Sequence, residues 1–213
     1  MNPWQPSKDI AAAKLLILLA IKIKTHGVSG WVSLTYDEMT EVAGLSRTLV
    51  CKGIRRLEQF QLIMVEGAKK KRYSLRLRET HKGWTKIPAG SLFDEAGAIR
   101  AFKTFHNRYD YELNALRLFL YLLHIRSNGD RYSYVTNATI FKKTGMPYSQ
   151  IPLAVGFMKS CGLLIERVVQ PAEKPVPFDD ENLYPYRYEL IGSKYLVKGQ
   201  NMSEKNDELS NEF

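Results

Sequence analysis

Displaced by 101 residues, the chain falls on itself without a gap, and no other feature limits its possible folds so strongly. Thr35 meets Thr136, Gly44 meets Gly145 and Leu62 meets Leu163. Between these identities Leu34 meets Val135, Met39 meets Ile140, Leu45 meets Met146, Val50 meets Ile151, Ile54 meets Val155, Leu57 meets Met158 and Ile63 meets Leu164. Identities number only three over the thirty-three positions. The apolar and turn positions agree, however, while the polar ones drift, as shared packing constraints require. The same register sets an apolar helix starting near Ser7 against one starting near Asp110, and Trp31 against Tyr132. One module is therefore expected twice.

Residues 34–66 show what the module is. Thr35 with Glu38 three residues later has capping-box spacing, so a helix starts just after Thr35. Met39, Val42 and Ala43 give it one apolar side, and Gly44 takes the chain out through a left-handed turn. Leu45 packs over the corner, and Ser46 caps a second helix. There Val50, Ile54, Leu57 and Phe60 form one stripe at helical spacing. Leu62 to Val65 reads as a strand and Gly67 to Lys71 as a basic tip. Tyr73, Leu75 and Leu77 alternate with Ser74, Arg76 and Arg78 in a returning strand. Trp31 to Ser33 supplies a short strand that pairs with this hairpin. Helix, tight turn, helix and basic hairpin constitute a winged helix-turn-helix.

Opposite the apolar stripe lie Arg47, Thr48, Cys51, Lys52 and Arg55. A charge run usually marks no more than a solvated helix face. Here the cations occupy the side that a recognition helix turns to the major groove, and the hairpin adds Lys69, Lys70, Lys71 and Arg72. The chain carries a net charge of +9. Residues 1–82 hold fifteen Lys and Arg against seven Asp and Glu, so +8 of it lies in the first copy. A polyanionic partner follows, and double-stranded DNA fits the arrangement best. Arg47, Thr48, Lys52 and Arg55 are the candidates for base edges and nearby phosphates, with Arg56 lateral on the backbone. Lys69 to Arg72 are expected on phosphate or in the minor groove. Cys51 is a small residue permitting close approach in preference to a redox switch, since no resolving cysteine lies near it in sequence.

The second copy departs from the first at these positions. Tyr148, Leu153, Gly156 and Phe157 stand where Arg47, Lys52, Arg55 and Arg56 do. With Ser149 as cap, Pro152 falls in the first turn, where no amide donor is missed. A helix apolar on nearly every side is normally covered, so the face from Tyr148 to Met158 is expected to meet a second copy, a partner protein or the other domain. The second wing, from Gln170 to Pro185, carries Asp179, Asp180 and Glu181, which repel phosphate.

Before the modules, Ser7 caps a helix reaching about Thr25, with Ile10, Ala13, Leu16, Ile17, Ala20 and Ile23 on its apolar face. The run from Ile10 to Ile23 is too short to span a bilayer and reads as a buried helix. Between the modules, Ser91 is expected to cap a helix containing Leu92, Phe93, Ile99, Phe102 and Phe105. These aromatics are too many for a free tether, so the segment should hold the two modules in a fixed relation.

Catalytic chemistry finds no support. Two cysteines, Cys51 and Cys161, make neither a disulfide framework nor a zinc site and suit a reducing cytoplasm. His26, His81, His106 and His124 show no metal-ligand spacing. No phosphate-binding glycine loop, nucleophile elbow or metalloprotease motif occurs. The expectation is a non-enzyme with no cofactor and no metal.

Residues 84–94 (WTKIPAGSLFD), 114–136 (NALRLFLYLLHIRSNGDRYSYVT) and 142–166 (KKTGMPYSQIPLAVGFMKSCGLLIE) resemble the N-terminal domains of phage and plasmid replication proteins. Residues 33–63 (SLTYDEMTEVAGLSRTLVCKGIRRLEQFQLI) are similar to those and equally to bacterial winged-helix transcription regulators. The resemblance implies duplex recognition by the helix from Arg47, with one winged helix of a tandem pair free to serve dimerisation. The expected fold is mainly α with small antiparallel β-wings, hence α+β. It comprises a DNA-binding winged helix in residues 1–82, a partly helical linker in 83–108, a second winged helix in 109–198 and a polar, acidic tail in 199–213.

Overall fold

Turn chemistry sets the skeleton in both halves. Thr35 caps α2 (Tyr36–Ala43), its side chain accepting from the Glu38 amide while the Glu38 carboxylate accepts from the Thr35 amide in return. The helix ends on Gly44, whose φ of 58° is left-handed. A Cβ is disfavoured in that conformation. Ser46 then caps α3 (Arg47–Gln59) by accepting from the Leu49 amide. In the second half Thr136 caps α6 (Asn137–Thr144), which ends on Gly145 at φ 69°. Next comes α7 (Gln150–Ser160), with Pro152 in its first turn.

The computed structural model describes residues 6–67, 70–76, 85–127, 129–170 and 183–196. Among these the chain is mixed α+β, with seven α-helices and two antiparallel sheets of three strands. The first sheet holds β1 (Val32–Ser33), β2 (Ile63–Glu66) and β3 (Arg72–Leu75) in the order β1-β3-β2. Val32 pairs with Tyr73, Ser33 with Arg72, and Val65 with Tyr73 from the other side. The second sheet repeats this topology with β4 (Tyr132–Thr136), β5 (Leu164–Val169) and β6 (Pro185–Leu190), in the order β4-β6-β5. The strand expected from Trp31 to Ser33 forms over Val32–Ser33 and pairs with the returning strand of the hairpin, while Trp31 bridges Val28. Trp4, Lys69, Leu77, Arg78, His81, Gly83, Asp179, Asp180, Glu181 and the tail lie outside the described residues.

Two apolar helices run through the centre. One is α1 (Pro6–His26), packed against both α3 and α5 (Asp110–Ile125). Buried side chains of the two halves consequently form one continuous core. Helix α1 starts at Pro6, so Ser7 lies inside it and is no cap. Its burial is not confined to one face either: Ile10, Ala11, Leu15, Leu18 and Leu19 are all inaccessible. A helix clamped between two others buries several sides, which a single-face periodicity does not capture.

Two further expectations are corrected. Phe60, assigned to the buried stripe of α3, is 51% exposed. It caps the helix C-terminus, with the Arg56 guanidinium 4.2 Å from its ring centroid. The helix expected from Ser91 to Phe105 does not form. A short α4 (Ala89–Leu92) gives way to a turn in which the Asp94 carboxylate accepts from the Ala98 amide and Gly97 is left-handed. Phe93 bridges Ile99 across it, and a 3₁₀ segment follows at Arg100–Thr104. An Asp–Gly turn outcompetes helix propensity here.

This connector holds both halves. The Ile99 amide donates to the Val42 carbonyl of α2, and Phe105 meets Phe157 of α7 edge-on, with centroids 4.8 Å apart. At its centre Lys14 of α1 is fully buried. The Lys14 Nζ donates to the carbonyl of Phe102 (3.3 Å), the carbonyl of Gly44 (3.4 Å) and Asn107 Oδ1 (3.1 Å). Burial lowers its pKa to about 7, a fall that the Glu112 carboxylate opposes. Glu112, itself buried, accepts from the amides of His106, Asn107, Arg108 and Tyr109 and so caps α5.

Candidate nucleic-acid interface

Helix α3 presents two unlike sides because its sequence is strictly divided. Val50, Ile54 and Leu57 are buried, and Gly53 lies against α1. The remaining side carries Arg47, Thr48, Cys51, Lys52 and Arg55, which fall within roughly 140° of arc at 100° per residue. Arg47, Thr48, Lys52 and Arg55 are exposed and Cys51 is half-buried with a free thiol. Neither Lys52 nor Arg55 makes an ion pair among the described residues. Both cations are therefore available to an anion from outside.

Arg47, Arg56, Lys71 and Arg72 have partners within the protein. Arg56 is tied to α1, its Nε 2.6 Å from Asp9 Oδ1, with Gln59 Oε1 3.0 Å from its Nη1. It braces α3 against α1 and is the least available of the helix cations. Arg72 of β3 pairs with Glu66 across the hairpin at 3.0 Å and lies 5.5 Å from the Trp31 ring centroid. Lys70 and Lys71 are exposed, and Lys69 falls outside the described residues.

Tyr36 and Asp37, at the start of α2, join the two basic elements. The Arg47 guanidinium pairs with Asp37 at 2.5 Å and sits 5.9 Å from the Tyr36 ring centroid. Lys71 Nζ lies 5.3 Å from the same centroid and donates to the Tyr36 hydroxyl at 3.4 Å. A groove of about 610 Å³ opens here, lined on one side by the start of α2 and on the other by Lys70, Lys71 and Tyr73. Neither residue stands out in the sequence. Their role depends on β1 pairing with β3, which brings Lys71 within reach of a residue thirty-five positions earlier.

The corresponding region of the second half is apolar. Tyr148 stacks on Phe141, centroids 5.0 Å apart, and the two are 40% and 45% exposed; Leu153 is 53% exposed. Phe157 is instead covered from inside by Phe105 and by Tyr111, 5.2 Å away. The connector and α5 thus cover α7 at Phe157, while Leu153 of α7 and Tyr148 just before the helix stay open. Two cations at the second sheet are matched by acids, Arg131 by Glu189 and Arg187 by Glu166, each at 2.7 Å, while Arg167 of β5 donates to Asn137 Oδ1 and the Tyr188 hydroxyl.

No family model matches the chain, and no curated protein matches it either. No helix of the described residues is long and apolar enough to cross a membrane.

Proposed function

We propose that the chain is a double-stranded DNA-binding protein made of two winged helix-turn-helix units, of the kind found in replication initiators and transcription regulators of bacteria and their mobile elements. In this reading the first unit binds the duplex. Helix α3 lies in the major groove with Arg47, Thr48, Lys52 and Arg55 towards base edges, and the hairpin cations follow the backbone. The observation that carries it is the pair Lys52 and Arg55, exposed on the open side of α3 and unmatched by any acid among the described residues. An exposed cation gains little from being left alone, whereas phosphates release counterions on meeting it.

The second unit serves assembly. The open face of Phe141, Tyr148 and Leu153 supports contact with a second copy, which places two α3 helices on a repeated or palindromic site. The same face also favours an adaptor in which the second unit docks a different protein and the first tethers it to nucleic acid.

Selection of duplexes from a random pool by the full chain, followed by titration of the enriched and the random sequences, tests the assignment. Lys52→Ala should cost roughly 1–3 kcal/mol on the enriched site and alter its sequence preference. Lys70→Ala with Lys71→Ala should weaken every sequence alike and lower the salt slope by about two. Identical losses on enriched and random duplex for both changes would exclude this division of roles.

A further inference from the structure

The groove at the start of α2 holds more charge chemistry than a passive surface needs. Two cations from different elements, Arg47 of α3 and Lys71 of the hairpin, lie within 6 Å of one aromatic ring centroid. Lys70 is the third cation lining the groove, and Asp37 and Glu38 are its two carboxylates. The balance is +3 − 2 = +1, the charge that a single phosphodiester neutralises. Glu38 is fixed, since its carboxylate accepts from both the amide and the hydroxyl of Thr35, at 2.6 and 2.8 Å. These bonds hold its pKa below the usual carboxylate range. Asp37 has no such anchor, being exposed and bound to Arg47 alone among the described residues.

Tyr73 also lines the groove; it is fully buried, and its hydroxyl has no hydrogen-bond partner among the described residues. In the second half Asn137, Ala138 and Tyr148 stand where Tyr36, Asp37 and Arg47 do, and Arg167 donates to Asn137 Oδ1 and lies over the Tyr186 ring instead.

We infer that this groove is a subsite for one backbone phosphodiester of the bound duplex, organised by Tyr36, with Asp37 acting as a built-in competitor for Arg47. The inference rests on the DNA-binding reading above. Tyr36 positions Lys71 and Arg47 on its ring, and cations so placed lose less freedom when the phosphate arrives. Asp37 occupies the Arg47 guanidinium until a correctly placed phosphate or base edge displaces it. Wrong sequences, which offer Arg47 less, are thereby penalised.

Titration of a labelled 30-base-pair duplex of random sequence with the full chain, from 50 to 200 mM KCl, tests this directly. Tyr36→Leu should weaken binding about 5- to 20-fold and lower the salt slope by about one. Tyr36→Phe, which keeps the ring, should retain most of the affinity. Asp37→Asn should tighten binding to random duplex several-fold and narrow the margin between enriched and random sequences. Because Asp37 is an exposed side chain, that variant keeps the test decisive even where Tyr36→Leu fails to fold. Weakened binding by Lys52→Ala beside unchanged affinity and slope in both Tyr36→Leu and Asp37→Asn overturns the subsite alone. No binding of any duplex by the wild-type chain overturns the subsite and the DNA-binding reading together.

Discussion

The two halves share a plan and differ in what they do with it. Both place a threonine cap, a left-handed glycine and a three-stranded sheet of identical topology around a pair of short helices. In the first, the outward side of the second short helix carries Lys52 and Arg55; in the second, the same positions are Leu153 and Gly156. The inward contacts diverge as well. Arg56 reaches Asp9, whereas its counterpart Phe157 packs between Phe105 and Tyr111. The divergence shows that a fold's turns and core positions are set by local stereochemistry and packing. The solvent side of one helix is free to change from basic to apolar.

The sharpest difference is internal. Lys14 occupies the position of Ala115 in the shifted register, and both are fully buried. With its pKa at about 7, Lys14 in the folded chain loses its proton well before it does so in the unfolded chain, where the ordinary value is 10.5. Between these values the unfolded state binds the extra proton, so stability rises with pH through this window, and the burial cost is felt in full below it. Urea denaturation of wild type and Lys14→Met at pH 7 and pH 9 should show wild type gaining ~2 kcal/mol relative to the variant. Parallel pH dependences would mean that Lys14 is solvated like an ordinary surface lysine.

The contact between the long and the second short helix is also tighter in the first half. A Cβ on Gly53 would lie 2.8 Å from Leu15 Cδ1 and 3.0 Å from the Ala11 carbonyl carbon, so backbone would have to move. Its counterpart Ala154 is fully buried yet accommodated. Gly53→Ala should therefore destabilise by about 1–2 kcal/mol, overpacking outweighing the gain in helix propensity. Ala154→Gly should lose about 1 kcal/mol for the opposite reason. Measured by thermal unfolding, a neutral or stabilising Gly53→Ala would show that the two interhelical distances are alike.

How much of this was legible in advance follows from the range of the interactions. Thr35, Glu38, Gly44 and Ser46 act within a few residues, so their roles could be read from spacing alone. The exposed side of α3 was legible for the same reason, because helical periodicity separates Lys52 and Arg55 from Val50 and Ile54. Lys14 was not, since its partners Phe102 and Asn107 lie 88 and 93 residues away and a lysine in an apolar run looks like an interruption. Spacing alone sends Arg56 to DNA, because Asp9, forty-seven residues earlier, gives no local sign of meeting it. Tyr36 and Asp37 carry no local signal, because only the register between β1 and β3 brings the hairpin to them.

The smallest effect on stability should come from the residue that matters most to the comparison. Leu153 is more than half exposed, so Leu153→Glu removes little buried surface. Its folding free energy should change by no more than about 0.5 kcal/mol. If the open face of α7 joins two copies, a charge at position 153 leaves an unpaired carboxylate in an apolar contact, and such a change disrupts assembly far more than folding. Sedimentation of the full chain should then report a dimer for wild type and a monomer for Leu153→Glu, with binding to a two-half-site duplex reduced more than binding to a single half-site. A wild-type chain that sediments as a monomer both alone and on the duplex would assign that face to a different protein, and the first half would then bind DNA as a single unit.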